Sequence, residues 1–311
     1  HRVLPLESGP MDNSFFLSMP RGIGKVLVPG NPHVYTYQIN KGGNHGTETW
    51  LKGRAIGGSS SINGMVYARG FATDYDRWAN QLGCAGWSWD DMLPHFMAHE
   101  DHEFGSDTER AVGGAIPITG HPADSVGADA HALCEAFLNA TALTGTPRID
   151  DTNMAIDGGI GYQPRNIYKG KRQSASKVFL HPVMHRPNLV VLPNTEVMRI
   201  VFEGKKAIGI AIRQGGEIKV IKCHKEVIVS AGAIESPKLL QLSGIGAANR
   251  LQQLGVEVIH NAPNVGQNLR EHYYIQHKYR VRKGSLNAEF QGLRLVWNCL
   301  LYTSDAADDQ A

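Results

Sequence analysis

The stretch Gly53-Arg54-Ala55-Ile56-Gly57-Gly58-Ser59-Ser60-Ser61-Ile62-Asn63, continuing into Gly64-Met65-Val66-Tyr67, decides how this chain is read. Paired glycines let backbone amides come close to an anion or a flat ring. Where such a loop runs into a helix start, unpaired N–H groups and the helix dipole add to the attraction. The more apolar residues 62–67 are expected to continue as that helix. A bare Gly/Ser cluster is commonly a flexible linker. The ordered placement of Arg54, Ile56, Asn63, Tyr67, Gly70 and Asp76 around this one argues against a linker.

On the N-terminal side, Val3-Leu4-Pro5-Leu6-Glu7 is an apolar run stopped by Ser8-Gly9-Pro10, which reads as a buried strand ending in a turn. Pro5 weakens it, because proline cannot donate to a central ladder. On the C-terminal side, helical spacing is expected at 74–82, at 89–100 with Ser88 and Asp90 suited to capping, at 129–143, and from Arg172 to about Met184. β-rich runs follow at 189–192, 196–202, 207–213, 218–222 and 226–230, close enough to form a meander beside a parallel strand.

Val227-Ile228-Val229, the small turn Ser230-Ala231-Gly232-Ala233 and a helix over 235–242 make the strand, turn, helix unit of a doubly wound α/β fold. Pro237 falls in that helix's first turn and Gly244 serves as its stop. Gly22-Ile23-Gly24 and Gly244-Ile245-Gly246 lack the third glycine of a dinucleotide fingerprint and read as turns.

Composition narrows the function. With 31 basic and 29 acidic residues among 311, the net charge of +2 gives no one-signed field for nucleic acid or a membrane surface. No run approaches the ~20 apolar residues of a membrane span. The partners expected are small molecules, and a cytoplasmic location is the default. His1-Arg2-Val3-Leu4 is no signal segment, and without an initiator methionine a leader could precede it.

Thirty-five glycines suit a cofactor-binding α/β enzyme. Cys84, Cys134, Cys223 and Cys299 show no paired spacing and are expected as buried thiols. His95, His99 and His102 lie at helical spacing without a third-ligand pattern, so no metal is assigned to them.

Two blocks together resemble both signatures of the glucose-methanol-choline (GMC) oxidoreductases. They are the 53–63 segment and Gly232-Ala233-x-x-Ser236-Pro237-x-Leu239-Leu240-x-x-Ser243-Gly244-Ile245-Gly246. Val3–Gly9, Gly170-Lys171-Arg172-Gln173-Ser174-Ala175 and Val265-Gly266-Gln267-Asn268-Leu269-Arg270-Glu271-His272 add to the resemblance, with Glu271 where aspartate is usual. It extends from Val3 to about Asn298.

The resemblance implies a doubly wound, Rossmann-like FAD domain with an inserted β-meander at 1–122 and 164–274. It also implies part of a substrate-binding domain at 123–163 and 275–298, and a non-native tail at 299–311. Glu7 resembles the acid that binds the adenosine ribose, and Val197 the residue whose backbone meets adenine. Gly57, Gly58, Ser59, Asn63, Gly64, Met65 and Val66 resemble the flavin-lining segment, and Ala231 and Gly232 complete the cofactor set. Ile62 stands where some members carry a flavin-linking histidine, so the FAD is expected to be non-covalent.

The implied activity is oxidation of a primary alcohol, choline-like, aliphatic or aryl, with oxygen or a quinone-like acceptor. Family members carry a catalytic histidine and its partner near the C-terminus and a GxGxxG turn near the N-terminus, and this sequence contains neither. The chain is therefore expected to be a fragment, truncated at both ends, that binds FAD poorly, aggregates and is inactive alone. Rival readings are a family lyase, a nicotinamide-dependent dehydrogenase and a non-catalytic flavin-binding remnant.

Overall fold

The computed structural model describes residues 1–41, 46–120, 128–154, 158–272, 275, 277 and 279–282. The chain divides into two compact units. One is built from His1–Met11, Pro29–Gly58 and Val183–His277, the other mainly from Asp12–Val28 and Ser59–Pro182.

In the first unit, the strands Val34–Asn40 and Thr47–Gly53 form an antiparallel hairpin. The meander expected from alternation is present as Glu196–Glu203, Lys206–Gln214 and Glu217–Lys222, antiparallel throughout. Ile200, Ile210 and Ile212 are buried on one face, and Ala211 is buried on the other, where Ile218 and Val220 stay exposed. The helix Gly232–Leu242 is tied to the meander where the buried Ser243 hydroxyl accepts from Ile200 N at 2.8 Å and donates to Leu239 O. That helix begins three residues before its expected start, so Pro237 lies in its interior rather than in its first turn. Gly244, at φ +86°, supplies the left-handed stop.

Three expected strands of this unit, 3–7, 189–192 and 226–230, are not formed. Residues 3–7 make only parallel bridges, Val3 to Leu189 and Leu6 to Leu192, interrupted at Pro5, and Val3 is 51% exposed instead of buried. Residues 226–230 are extended but pair with nothing assigned as a strand, and Ile228 is 76% exposed. A strand needs a ladder, and propensity alone does not supply one.

In the second unit, the helices Ala72–Gln81, Trp89–His99 and Ala128–Ala142 stand close to their expected spans. The Ser88 hydroxyl accepts from Asp91 N, and the Asp91 carboxylate accepts in return from Ser88 N, so Asp91 rather than Asp90 completes the cap. Tyr75, Trp78, Trp87, Trp89 and Phe96 join the first two helices through ring contacts. The helix expected after Arg172 is a single π turn, Ser176–Leu180, followed by a 3-10 turn. Gly22-Ile23-Gly24, expected as a turn, runs instead from a 3-10 turn into the short helix Ile23–Val26.

A bidentate pair anchors this unit. Arg69 Nε and Nη2 donate to Glu100 Oε1 and Oε2 at 2.7 and 2.6 Å, the Tyr67 hydroxyl donates to Oε1, and both charged side chains are almost wholly buried. The structure corrects two further expectations. Cys84 and Cys134 are exposed and Cys223 is half-buried, because each sits at a turn, a helix surface or a strand edge rather than in the core; Cys299 lies outside the described residues. His102 leaves the His95/His99 helix for the strand Glu100–His102, where it is buried 3.4 Å from Asp151. Among the described residues no group of three ligating side chains could hold a metal, and no helix is long and apolar enough to cross a membrane.

Candidate functional site

The residues implicated by the sequence fall in both units. Glu7, Gly57, Gly58, Val197, Ala231 and Gly232 belong to the first, and Ser59, Asn63, Gly64, Met65 and Val66 to the second.

Glu7 closes the parallel run of residues 3–7. Its backbone N–H donates to Leu192 O at 3.0 Å and its carbonyl accepts from Thr195 N at 2.8 Å. The carboxylate accepts from Gly9 N at 2.8 Å and from the Ser8 hydroxyl at 3.2 Å, both on Oε1. Burial pushes the Glu7 pKa above the usual carboxylate range, against the lowering pull of these bonds and of the Arg54 charge.

Gly9 is where the fold holds this carboxylate in place. A Cβ there would lie 2.0 Å from the Arg54 carbonyl oxygen, and the Arg54 guanidinium in turn donates to Ser8 O at 3.1 Å. Gly9→Ala is expected to cost about 1–3 kcal/mol through this backbone clash. The check is the urea midpoint of the chain, with an unchanged midpoint counting against the packing described.

Val197 lies in the meander opposite Ile212, next to a register shift between Val197 and Arg199. Ala231 precedes the helix Gly232–Leu242, and Gly232 at φ +86° leaves the volume of a Cβ open. Gly57 and Gly58 are also left-handed, at φ +87° and +56°, with nothing near a Cβ on Gly58. These are positions where backbone can meet a flat ligand without side-chain interference.

The expected helix over 62–67 does not form. A 3-10 turn, Gly58–Ser61, gives way to an irregular segment in which Asn63 Oδ1 accepts from Met65 N at 3.0 Å and Met65 turns left-handed at φ +60°. That side-chain bond competes with helix continuation. Val66 bridges Arg165, Met65 O accepts from Asn166 N, and Gly64 O accepts from the Arg165 guanidinium. Asn63, Gly64 and Val66 are exposed while Ile62 and Met65 are buried.

Arg172 holds this segment and was missed as a site residue. It is 3% exposed, donates through Nε to Leu17 O, and donates through Nη1 to Ser60 O, Asn63 O and Asn63 Oδ1 at 3.2, 2.7 and 2.8 Å. Asn63 Oδ1 therefore has two donors on it, and the amide Nδ2 makes no hydrogen bond among the described residues. The sequence signal was the arginine in the Gly170–Ala175 block, separated by 109 residues from its target.

Each unit carries features that fit part of a flavin dinucleotide: in the first, the left-handed Gly58 and Gly232 with open Cβ positions and the Glu7 carboxylate held through Oε1, and in the second, the Asn63 carboxamide held through Oδ1. The comparisons with known proteins point the same way. The sequence profile of the GMC oxidoreductases matches residues 23–274. The chain is similar to human mitochondrial choline dehydrogenase, with 40% identity over 88% of this chain and 47% of that protein. It is similar to the oxygen-dependent choline dehydrogenase of Photobacterium profundum, with 38% identity over 90% and 48%. Among solved structures, pyridoxine 4-oxidase from Mesorbium loti aligns with TM-score 0.77 and 32% identity over 85% of this chain and 51% of that one. The chain spans about half the length of the curated relatives it matches.

Proposed function

Because the chain belongs to the GMC oxidoreductase family, whose cofactor is FAD, we propose that it carries the non-covalent FAD-binding part of an oxidoreductase acting on a primary alcohol. The proposed cofactor domain is 1–122 with 164–274, and the partial substrate domain is 123–163 with 275–298. The single observation that carries this reading is the Asn63 carboxamide, locked oxygen-inward by Arg172.

When bound, the flavin supplies a two-electron acceptor for the hydride lost by the alcohol carbon. The chain's own residues bind and orient. Glu7 Oε2 accepts from the ribose hydroxyls, the backbone of Val197 meets the adenine, and the Ala231–Gly232 turn and the Gly57–Ser59 amides line the dinucleotide. Asn63 Nδ2 would donate to the polar edge of the flavin ring, and Gly64, Met65 and Val66 would line it. Ile62 is buried and offers no nucleophile, which supports a non-covalent flavin. The proposed substrate is a choline-like, aliphatic or aryl primary alcohol. Oxygen is favoured over a quinone-like acceptor by the oxygen-dependent relative.

The 311-residue chain by itself is proposed to hold FAD weakly and to be inactive. The test is to sequence past both ends of the reading frame, express the longer protein, and titrate FAD into both forms. The longer form is expected to bind one FAD and turn yellow, and a colourless longer form would overturn the flavin reading. In the longer form, Glu7→Gln is expected to weaken FAD binding by about 10–100-fold, the loss of one to two hydrogen bonds to a charged acceptor. Unchanged affinity would remove Glu7 from the site.

A further inference from the structure

A cavity of about 180 Å³ in the second unit lies between residues 12–18 and residues 172–181. Its charges do not balance. The Arg172 guanidinium at its wall is buried and bonded only to neutral oxygens, those of Leu17, Ser60 and Asn63, with no carboxylate partner among the described residues. Burial pulls its pKa down to about 10.

Lys177 lines the same cavity, and its ammonium makes no hydrogen bond or ion pair among the described residues. Burial and the neighbouring Lys171 lower its pKa, against a raising pull from Asp12. Asp12 is the carboxylate present, and it is already engaged. Oδ2 accepts from the Ser176 hydroxyl and Oδ1 lies 2.9 Å from His181 Nε2. Asn13 and Ser14 also line the cavity, with side chains that have no bonding partner among the described residues.

Buried charges are stable when paired, and two cations over one engaged carboxylate leave a net positive pocket edged by unused donors. The Arg172 Nη2, which makes no bond among the described residues, a lysine point charge, a hydroxyl and a carboxamide together suit an acceptor-rich anion. A volume near 180 Å³ equals about six waters, enough for one such anion with residual solvent. We propose that this cavity binds a small tetrahedral oxyanion of the phosphate class, either free or as the phosphoryl group of a nucleotide. The inference does not depend on the flavin reading, because none of its donors is a residue proposed to touch FAD.

The test is equilibrium dialysis of labelled inorganic phosphate against the dilute 311-residue chain, with ionic strength held constant by sodium chloride. Saturable one-to-one binding in the millimolar range is expected. Lys177→Gln should raise the dissociation constant about tenfold. The Asn13→Ala/Ser14→Ala double variant, at the cavity's rim, should raise it by a smaller factor with an unchanged far-ultraviolet dichroism spectrum. Displacement of phosphate by ADP identifies a nucleotide phosphoryl group as the source, and retention of phosphate in ADP identifies the free ion. No saturation in the wild-type chain, or equal affinity in both variants, overturns the proposal.

Discussion

Arg69→Met is expected to destabilise the second unit by about 3–5 kcal/mol, the cost of leaving a buried carboxylate without its counter-ion. Glu100 is 0% exposed and receives two guanidinium donors and the Tyr67 hydroxyl. Without Arg69 the tyrosine alone remains to solvate it. Arg69 also donates through Nη1 to Glu109 O, so the substitution releases that segment too, while the bond from the residue-69 backbone N–H to the Asn153 side chain is kept. Against total stabilities of about 5–15 kcal/mol, a loss of this size leaves a large unfolded fraction.

The double variant Arg69→Met/Glu100→Leu removes both charges and should recover most of that loss, because no charge remains buried and unpaired and only neutral groups, the Tyr67 hydroxyl and Glu109 O, lose a partner. Urea midpoints followed by circular dichroism decide the matter. If single and double variants fall equally, the cost lies in packing and not in the uncompensated charge.

The second large effect is on cofactor affinity. Arg172→Lys keeps a positive charge but gives up the planar fork that reaches Leu17, Ser60 and Asn63 at once. With Nη1 withdrawn, Asn63 Oδ1 keeps the bond from Met65 N alone, and the carboxamide turns more readily out of the donor orientation proposed for binding flavin. In the complete protein, FAD affinity is expected to drop by about 100-fold, the usual scale for losing the position of a binding group by an ångström or so. Asn63→Asp should mimic the loss, since it replaces the outward amide by a second oxygen. The readout is quenching of flavin fluorescence on titration, with dichroism confirming that each variant is folded. Wild-type affinity in a folded Arg172→Lys variant would show that the latch is structural only.

The parts of the fold that the sequence made legible are those fixed by short-range physics. Alternation of apolar residues gave the meander, and Ser88 before an acidic first turn gave a helix start within a residue of the observed one. The parts it hid depend on distant partners. Val3–Glu7 and 226–230 have strand composition, yet a strand exists only where a neighbour supplies a ladder. The 62–67 segment has helical composition, and a single bond from Asn63 Oδ1 to Met65 N turns it aside. Cysteine burial was misjudged because residue-type averages ignore position on an element. Most of the candidate site was legible as a block of residue types at fixed spacing. Arg172 was not assigned, because nothing local to it names a target 109 residues away.

Met65 gives the site a different kind of significance, in heredity rather than in mechanism. Its left-handed backbone, at φ +60°, costs a non-glycine residue about 1–2 kcal/mol. Its side chain is only 5% exposed, and burying a methionine returns about 1.5–3 kcal/mol. The two terms nearly cancel, so replacing it by glycine or asparagine relieves torsion about as much as it sacrifices burial. Such a position can drift among these three residues over generations with little selection through stability. Variation there among descendants of this gene would then record history and shape at the flavin edge, and would be a poor guide to how well the protein folds.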